Sequence, residues 1–403
     1  MKKMGWKVLA IVCLMLAMSS YVWAAERPIR ILVIEGLSGP AKDIGERVVL
    51  GSKFAVEEVN ASGGVNGRKV ELIVEDNQGK PDVGARKAQK YLLEESIDMI
   101  SIFAGTNIVK AVAQAMGDSK ILFLAGTQGD DITGKDFSYN MYRPYWNVSM
   151  FARGVVEYLA KHKKMKTFYL LNQDYSLGRD AAAAYKREIA RQLPEGKIVG
   201  EDYFPLFTKD LSSFLTKIKA SGAEVILTTA WGSDIYLLLK QRQELGVKAP
   251  IVCYALADPF TISAAPESAV GVIASDGYAI TVDTKENKDF VKRWQEKHKG
   301  GEYPNPDLHT ARGYMGTKLM LEAAKKANSV QLEKIMPVLE GFRANMPIGE
   351  VYIRPCDHQI QMPMAVVEVV STKYPYIGPA TILPASTVSI EEGATGNARC
   401  KGK

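Results

Sequence analysis

The sequence predicts an α/β protein built from two similar lobes, each a mostly parallel sheet covered by helices. Strand-like apolar runs alternate with helical runs from residue 29 onward, and the alternation begins again after residue 143. At 403 residues the chain is also too long for one small core. With 47% apolar and 24% charged residues, its composition is that of an ordinary soluble protein rather than of a disordered chain.

The first unit is a strand over residues 29–34, a helix over 46–60 and a second strand over 69–74. Strand, helix and strand in this order form a βαβ unit, which implies a parallel sheet with a right-handed crossover. Ligands of such sheets bind beyond the carboxyl ends of the strands. The glycine-punctuated loop 36–45 lies at such an end and is the first place where we expect a ligand.

The remaining elements of the first lobe are strands at 98–104 and 120–125 and helices at 81–95 and 108–116. The second lobe has its strands at 166–171, 198–204, 224–229, 251–254 and 270–273, with helices at 148–162, 179–192 and 234–245. Later helices at 287–299 and 309–327 and strands at 350–353 and 364–370 are left over. These late segments suggest that the chain crosses between the lobes several times.

The N-terminus has the pattern of a secretory signal peptide over residues 1–25. Lys2, Lys3 and Lys7 precede an apolar stretch at 8–18 that is too short to span a bilayer, and small residues favour cleavage near Ala24–Ala25. We therefore expect a protein exported to the periplasm. Loss of the three lysines lowers the formal charge from +6 to +3, and the remaining charges are dispersed, so a nucleic-acid partner is not expected.

Three cysteines follow the signal peptide, and two of them could pair in an oxidising compartment. Pairing of Cys356 with Cys400 is preferred because it would tie the C-terminal tail to the body of the protein. Cys253 lies in an apolar strand and is expected to be a buried free thiol. The sequence alone leaves the connectivity open.

Catalytic signatures are absent from the sequence. It has no phosphate-binding glycine loop, no Gly-x-Ser-x-Gly nucleophile elbow and no histidine or cysteine spacing suited to a metal. Cys356, Asp357 and His358 place a nucleophile beside a base, but sequence neighbours rarely face each other usefully. We therefore expect neither an enzyme nor a bound cofactor or metal.

Small, hydrogen-bonding and aromatic residues recur at the predicted strand ends. Glycine allows close approach to the backbone, and a helix beginning near residue 107 offers free N–H groups to a carboxylate. Each glycine or threonine taken singly is explained by turn chemistry, so their recurrence carries the prediction. The candidate ligand-binding residues are Ser38, Ile44, Gly105, Thr106, Asn107, Gly126, Thr127 and Gln128 in the first lobe, and Tyr175, Trp231, Gly232, Tyr254 and Ala255 in the second.

The opening segments carry a resemblance to a known family. The run Ser38-Gly-Pro through Gly45, the run 55–70 (AVEEVNASGGVNGRKV) and the pair Glu75-Asp76 resemble the branched-chain-amino-acid-type solute-binding proteins of ABC importers. The resemblance covers nearly the whole chain after the signal peptide.

This resemblance implies a type I periplasmic binding fold, in which two Rossmann-like lobes close on a ligand about a three-crossing hinge. The crossings would lie near 143–146, 277–279 and 354–357. One lobe would comprise residues 26–144 and 279–354, and the other 145–278 and 355–403. The implied partners are a small-molecule ligand and a membrane permease, and a monomer is expected.

The family also implies roles for particular residues. Its amino-acid-binding members hold the ligand carboxylate at positions matching Thr106, Gly126 and either Thr127 or Gln128, and Tyr175 matches a tyrosine that closes over the ligand. Ile44 takes the place of an aromatic contact.

The expected counter-ion for an α-ammonium group is missing from residues 254–257 of this chain. Either Asp258 replaces it, or the pocket lacks a carboxylate for that group. Since burying an unpaired ammonium is costly, an aromatic or other small organic acid is favoured. The alternatives are a branched-chain or other amino acid or amide in the same role, a sensory module that reports ligand to a membrane receptor, and an exported enzyme on the same scaffold, against which the missing catalytic signatures argue.

Overall fold

A computed structural model describes residues 27–400, so the predicted signal peptide lies outside the described residues. The first sheet has five parallel strands in the order β2-β1-β3-β4-β5. They are β1 (Ile29–Glu35), β2 (Val70–Asp76), β3 (Met99–Phe103), β4 (Leu122–Gly126) and β5 (Met141–Tyr142). The strand order reverses between β1 and β3, which is where doubly wound sheets open a crevice for ligands.

Three helices connect these strands: α1 (Lys42–Ala61), α2 (Pro81–Leu93) and α3 (Thr106–Met116). Helix α1 begins four residues before the predicted start at residue 46, because a 3₁₀ turn at Gly39–Ala41 with proline in its first turn leads directly into it. The loop predicted at residues 36–45 is therefore shorter than expected, and Ile44 lies in the first turn of α1 rather than in the loop.

The second sheet has seven strands in the order β15-β14-β10-β9-β8-β6-β7. They are β6 (Thr167–Gln173), β7 (Lys197–Phe204), β8 (Val225–Leu227), β9 (Ile251–Val252), β10 (Ile273–Asp276), β14 (Met364–Glu368) and β15 (Thr381–Leu383). The flanking helices are α4 (Val148–Tyr158), α5 (Ser176–Gln192), α6 (Ser212–Ser221), α7 (Ser233–Glu244), α8 (Pro259–Ser263) and α9 (Pro266–Ala269). Strands β14 and β15 are antiparallel to their neighbours, unlike the parallel strands β6 to β10.

The remaining elements are α10 (Lys285–His298), α11 (Leu308–Ala327), α12 (Leu332–Leu339), α13 (Ala385–Val388) and a small antiparallel sheet of β11 (Arg343–Met346), β12 (Gly349–Ile353) and β13 (Ile360–Gln361). Helix α11 packs directly on α1. A Cβ atom at Gly51 would overlap the carbonyl oxygen of Thr310, and one at Gly313 would overlap that of Val48. Only glycine allows the two helices to approach so closely.

The three predicted crossing segments lie side by side. Arg143 N–H donates to the His358 carbonyl at 3.0 Å, and Ile360 N–H donates to the Arg143 carbonyl at 3.0 Å. The Tyr145 hydroxyl donates to both oxygens of Asp276, at the end of β10, at 2.8 Å. These contacts hold the first and third segments to each other and the first to the start of the second.

The cysteine predictions are confirmed. Cys356 and Cys400 form a disulfide that anchors the C-terminal residues. Cys253 is a buried free thiol, and burial raises its pKa to about 12. Within residues 27–400, no helix combines the length and apolar character needed to cross a bilayer.

Candidate functional site

The first wall of the candidate site is formed by the ends of β3 and β4. Gly105 is the N-cap of α3, and Thr106 begins that helix, two residues before the predicted start at residue 108. The hydroxyls of Thr106 and Thr127 are hydrogen-bonded at 2.9 Å, so the residues after the two strands meet. Gly126 ends β4 against the ring of Phe103, which a Cβ atom would overlap. The hydroxyls and the free N–H groups of the α3 N-terminus suit a small polar or anionic group.

The second wall is aromatic. The indole N–H of Trp231 donates to the hydroxyl of Tyr175 at 3.0 Å, and both side chains are only partly buried. Gly232 has a φ of +61°, which glycine adopts without strain where the chain turns from the end of β8 into α7. Tyr254 and Ala255 are buried in a 3₁₀ turn, and the Tyr254 ring lies edge-on to Trp146 at 5.6 Å.

The other candidate residues occupy less central positions. Ser38 is exposed and follows β1, and Ile44 is half-buried. Asn107 is exposed beside Thr106. The carbonyl of Gln128 accepts the N–H of Val148 at 2.9 Å, so its backbone serves the start of α4.

A polar cluster that sequence reasoning did not single out lies between the two sheets. Asp276 accepts the Tyr145 hydroxyl at 2.8 Å, the Trp146 indole N–H at 3.2 Å and the Gly277 N–H at 2.6 Å. Burial raises the pKa of Asp276 to about 6, although these donors and Arg312 oppose the rise. Two predicted crossing segments therefore also contribute to the site.

Asp258, the candidate counter-ion for a ligand ammonium, is fully buried and already occupied. Its carboxylate binds Nη1 of Arg47 at 2.7 Å, and the same Nη1 binds Asp307 at 2.5 Å. Asp258 also caps α8 by accepting the N–H of Phe260 and accepts the Thr261 hydroxyl at 2.7 Å. Burial raises the pKa of Asp258, while Arg47 opposes that rise. The ion pair joins α1, which flanks the first sheet, to a loop of the second sheet.

Arg312, on α11, is the other residue that the sequence reading missed. Its side chain is buried, with 7% of its surface exposed, and Nε has no hydrogen-bond partner. The guanidinium carbon lies 5.8 Å from the centre of the Phe103 ring and 5.6 Å from that of Tyr145. The signal was present in the sequence, because Arg312 interrupts a stripe of apolar and small residues at helical spacing.

Two surface cavities lie elsewhere. One of about 610 Å³ is lined by residues of α10 and the segment 377–379, and one of about 170 Å³ by Phe260, Tyr303, Tyr374 and their neighbours. Neither contains a predicted site residue. Size alone is a poor guide here, because the candidate polar and aromatic groups lie at the strand ends of the two sheets and line neither cavity.

The Cys356-Asp357-His358 triplet has no free thiol, since Cys356 is bonded to Cys400. Cys356, Asp357 and Cys400 lie close enough to share a metal, but the disulfide removes both thiolates as ligands. His358 instead contacts the Met141 carbonyl at 2.7 Å and Glu340 at 2.9 Å. This cluster therefore braces the C-terminal tail.

Two α/β sheets, one with small hydroxyls and the other with aromatic rings at its strand ends, have the architecture of a two-lobed solute-binding protein. Residues 28–373 match the family described as periplasmic binding protein, and the chain belongs to that family, in its type I, branched-chain-amino-acid-binding branch. Members of this family are the substrate-binding components of ABC transporters. They are located outside the cytoplasm and work with membrane permeases. The family and the similar structures are solute-binding proteins rather than enzymes.

Individual relatives are distant. A Leu/Ile/Val-binding protein homolog 4 of Brucella melitensis is 26% identical over 376 residues, 89% of this chain and 88% of the relative. A leucine-, isoleucine-, valine-, threonine- and alanine-binding protein from Brucella ovis, in a closed conformation, superposes with a TM-score of 0.81 at 22% identity, over 90% of this chain and 97% of that one. A solute-binding protein from Rhodopseudomonas palustris HaA2 in complex with p-hydroxybenzoic acid gives 0.80 at 24% identity, over 89% and 97%. At such identities the structures support the fold alone.

Proposed function

We propose that this protein captures a small carboxylic acid without an α-ammonium group, with aromatic acids favoured, and delivers it to the permease of an ABC importer. The observation that carries the proposal is the buried ion pair of Asp258 with Arg47 at 2.7 Å. An ammonium group that used Asp258 as its counter-ion would compete with the buried Arg47 for that carboxylate. Burying an unpaired charge costs several kcal/mol.

The aromatic wall adds to this preference. Tyr175, Trp231 and Tyr254 offer flat apolar faces with polar tips, which suit a planar ring bearing a hydroxyl. The N-terminus of α3, with Thr106 and Thr127, offers donors for a carboxylate. A micromolar dissociation constant would need about 8 kcal/mol in total from these contacts.

In this proposal the protein works by hinge closure. Residues 26–144 with 279–354 form one lobe, residues 145–278 with 355–403 form the other, and the crossing segments flex between them. Only contacts made to both lobes favour the closed form, since a ligand shifts an equilibrium by its difference in affinity for the two states. The pair of Arg47 and Asp258 joins the surroundings of the two sheets and would itself favour closure.

An amino acid is the second candidate ligand, favoured by the names of the Brucella relatives. It would require Asp258 to leave Arg47, or another carboxylate to take the ammonium. Asp276 is a poor substitute because three donor groups already occupy its oxygens.

A thermal-shift screen of the purified protein against leucine, valine, benzoate, 4-hydroxybenzoate and 4-hydroxybenzamide tests the proposal. A ligand at about 100 times its dissociation constant stabilises the folded state by about 2.7 kcal/mol. We expect at least one aromatic acid to raise the melting temperature by several degrees, with no shift from leucine or valine. Stabilisation by leucine or valine alone would instead establish the amino-acid alternative.

A further inference from the structure

We propose that Arg312 is the residue that binds the anionic group of the ligand and thereby sets the specificity of the site. The inference rests on the proposed function and deepens it, because it assigns the carboxylate to a cationic side chain in addition to the hydroxyls and N–H groups at the α3 N-terminus. The required ligand group is a carboxylate or a similarly planar anion, which a guanidinium binds through two parallel hydrogen bonds.

The packing of α11 explains why Arg312 faces the site. One turn further along the helix, a Cβ atom at Gly316 would lie 2.8 Å from the ring of Phe103 and 3.2 Å from Pro144. Residues four apart share a helix face, so Arg312 lies on this same face. Its guanidinium therefore sits over the rings of Phe103 and Tyr145, at the end of β3 and beside a crossing segment.

Arg312 lacks the partner that a buried cation normally has. Within residues 27–400, no carboxylate forms a salt bridge with it, and its buried Nε has no hydrogen-bond partner. The polar group that its guanidinium does interact with is the Tyr145 hydroxyl, which carries no full charge to offset its own. Asp276 is within electrostatic reach, but its oxygens are taken by Tyr145, Trp146 and Gly277. Glu35 is also near, but burial raises the pKa of its carboxyl well above the ordinary value, and within the described residues it forms no ion pair with Arg312.

Other buried arginines show how such a charge is ordinarily held. Arg47 has Asp258 and Asp307 as partners, and Arg354 binds Asp357. Arg143 has no carboxylate partner among the described residues but donates to several neutral acceptors, among them Gln359. Burying a charge without a carboxylate partner costs desolvation free energy, and an anionic ligand that pairs with the guanidinium offsets that cost. The guanidinium of Arg312 lies over Tyr145, and the ring of the adjacent Trp146 contacts that of Tyr254, which follows β9 of the second sheet, at 5.6 Å.

Isothermal titration calorimetry with 4-hydroxybenzoate, or whichever carboxylate stabilises the protein, and its primary amide tests the inference. We expect the wild type to prefer the acid. Arg312→Gln should weaken acid binding by at least about 30-fold while changing amide binding less than about threefold, because hydrogen bonds to charged groups are the strong ones. Arg312→Lys should retain part of the preference.

Arg242→Gln is the matched control. Arg242 is a partly buried arginine on α7 that donates from Nε to the Ala249 carbonyl, away from the candidate walls. Its loss removes the same charge and should leave both affinities unchanged.

The possible results separate the two ideas. If no carboxylate binds the wild type, the proposed function fails and this inference fails with it. If a carboxylate binds and Arg312→Gln binds it equally well, the proposed function stands and the role of Arg312 is refuted. Should Arg312→Gln not fold, as judged by circular dichroism, a wild type that binds acid and amide equally tightly would refute that role.

Discussion

Replacing Arg47 with methionine tests the buried ion pair that underlies the ligand proposal. Methionine has an apolar side chain of similar length, so the substitution removes the positive charge that lies between two carboxylates. The Arg47 side chain is 1% exposed, and those of Asp258 and Asp307 are 0% and 6% exposed, so water cannot replace the guanidinium. Removing one partner of such a buried pair typically costs about 3–5 kcal/mol.

This cost should be visible as a lower melting temperature. For a folded unit of about 150–250 residues, a loss of about 1 kcal/mol in stability lowers the melting temperature by roughly 2–4 °C. We therefore expect Arg47→Met to melt about 10 °C below the wild type in scanning calorimetry. Arg86→Met is the matched control, because Arg86 pairs with Asp82 on an exposed helix face and exposed pairs contribute little. That variant should melt close to the wild type.

The loss should also depend on pH. Burial raises the pKa of Asp258 in the folded protein, and Arg47 is the main influence that opposes it, so removing Arg47 raises that pKa further. A carboxyl whose folded pKa exceeds its unfolded pKa contributes stability below the unfolded value, near 4, and loses it as the pH rises through the folded pKa. The gap between the variant and the wild type should therefore widen from pH 5 to pH 7.5.

Adding Asp258→Asn to Arg47→Met should recover part of the stability, since asparagine also caps a helix and carries no charge. The reasoning would be refuted by an Arg47→Met variant that melts within about 2 °C of the wild type, or by a gap independent of pH.

Two further outcomes are expected. Tyr175→Ala and Trp231→Ala should each weaken binding of the stabilising acid by about tenfold or more in calorimetry without unfolding the protein, because both side chains are partly exposed. Tyr175→Phe should have a smaller effect. Unchanged affinity in both alanine variants would mean that the aromatic wall is misplaced. Cys400→Ser should lower stability by about 4 kcal/mol in denaturant titration, because the disulfide closes a separation of 44 residues, and equal stability of the oxidised wild type and the variant would contradict this.

Local sequence signals predicted most of the fold. Apolar strands, helical periodicity and glycine turns act over a few residues, and every predicted strand has a counterpart, although β10 lies three residues later than expected. The short strands β5, β11, β13 and β15 were missed because two to four residues are too few to show a periodicity. The antiparallel edge of the second sheet was also missed, since strand direction depends on where the returning chain docks.

The candidate site was predicted less completely. Thr106 and Thr127 meet, as do Tyr175 and Trp231, because the carboxyl ends of parallel strands share one edge of a sheet. The cluster around Asp276 was not predicted, since its partners at 145 and 146 lie about 130 residues away and carry no joint pattern.

What the sequence determined by itself is the framework: alternating strands and helices, polar and aromatic residues at the strand ends, and a family signature. Only the tertiary structure shows which charged residues of the site are paired with each other. Asp258 forms an ion pair with Arg47, 211 residues away along the chain, and Arg312 forms no salt bridge with a carboxylate within the described residues. Ion pairing depends on distance and burial in space, which residue spacing along the chain does not encode.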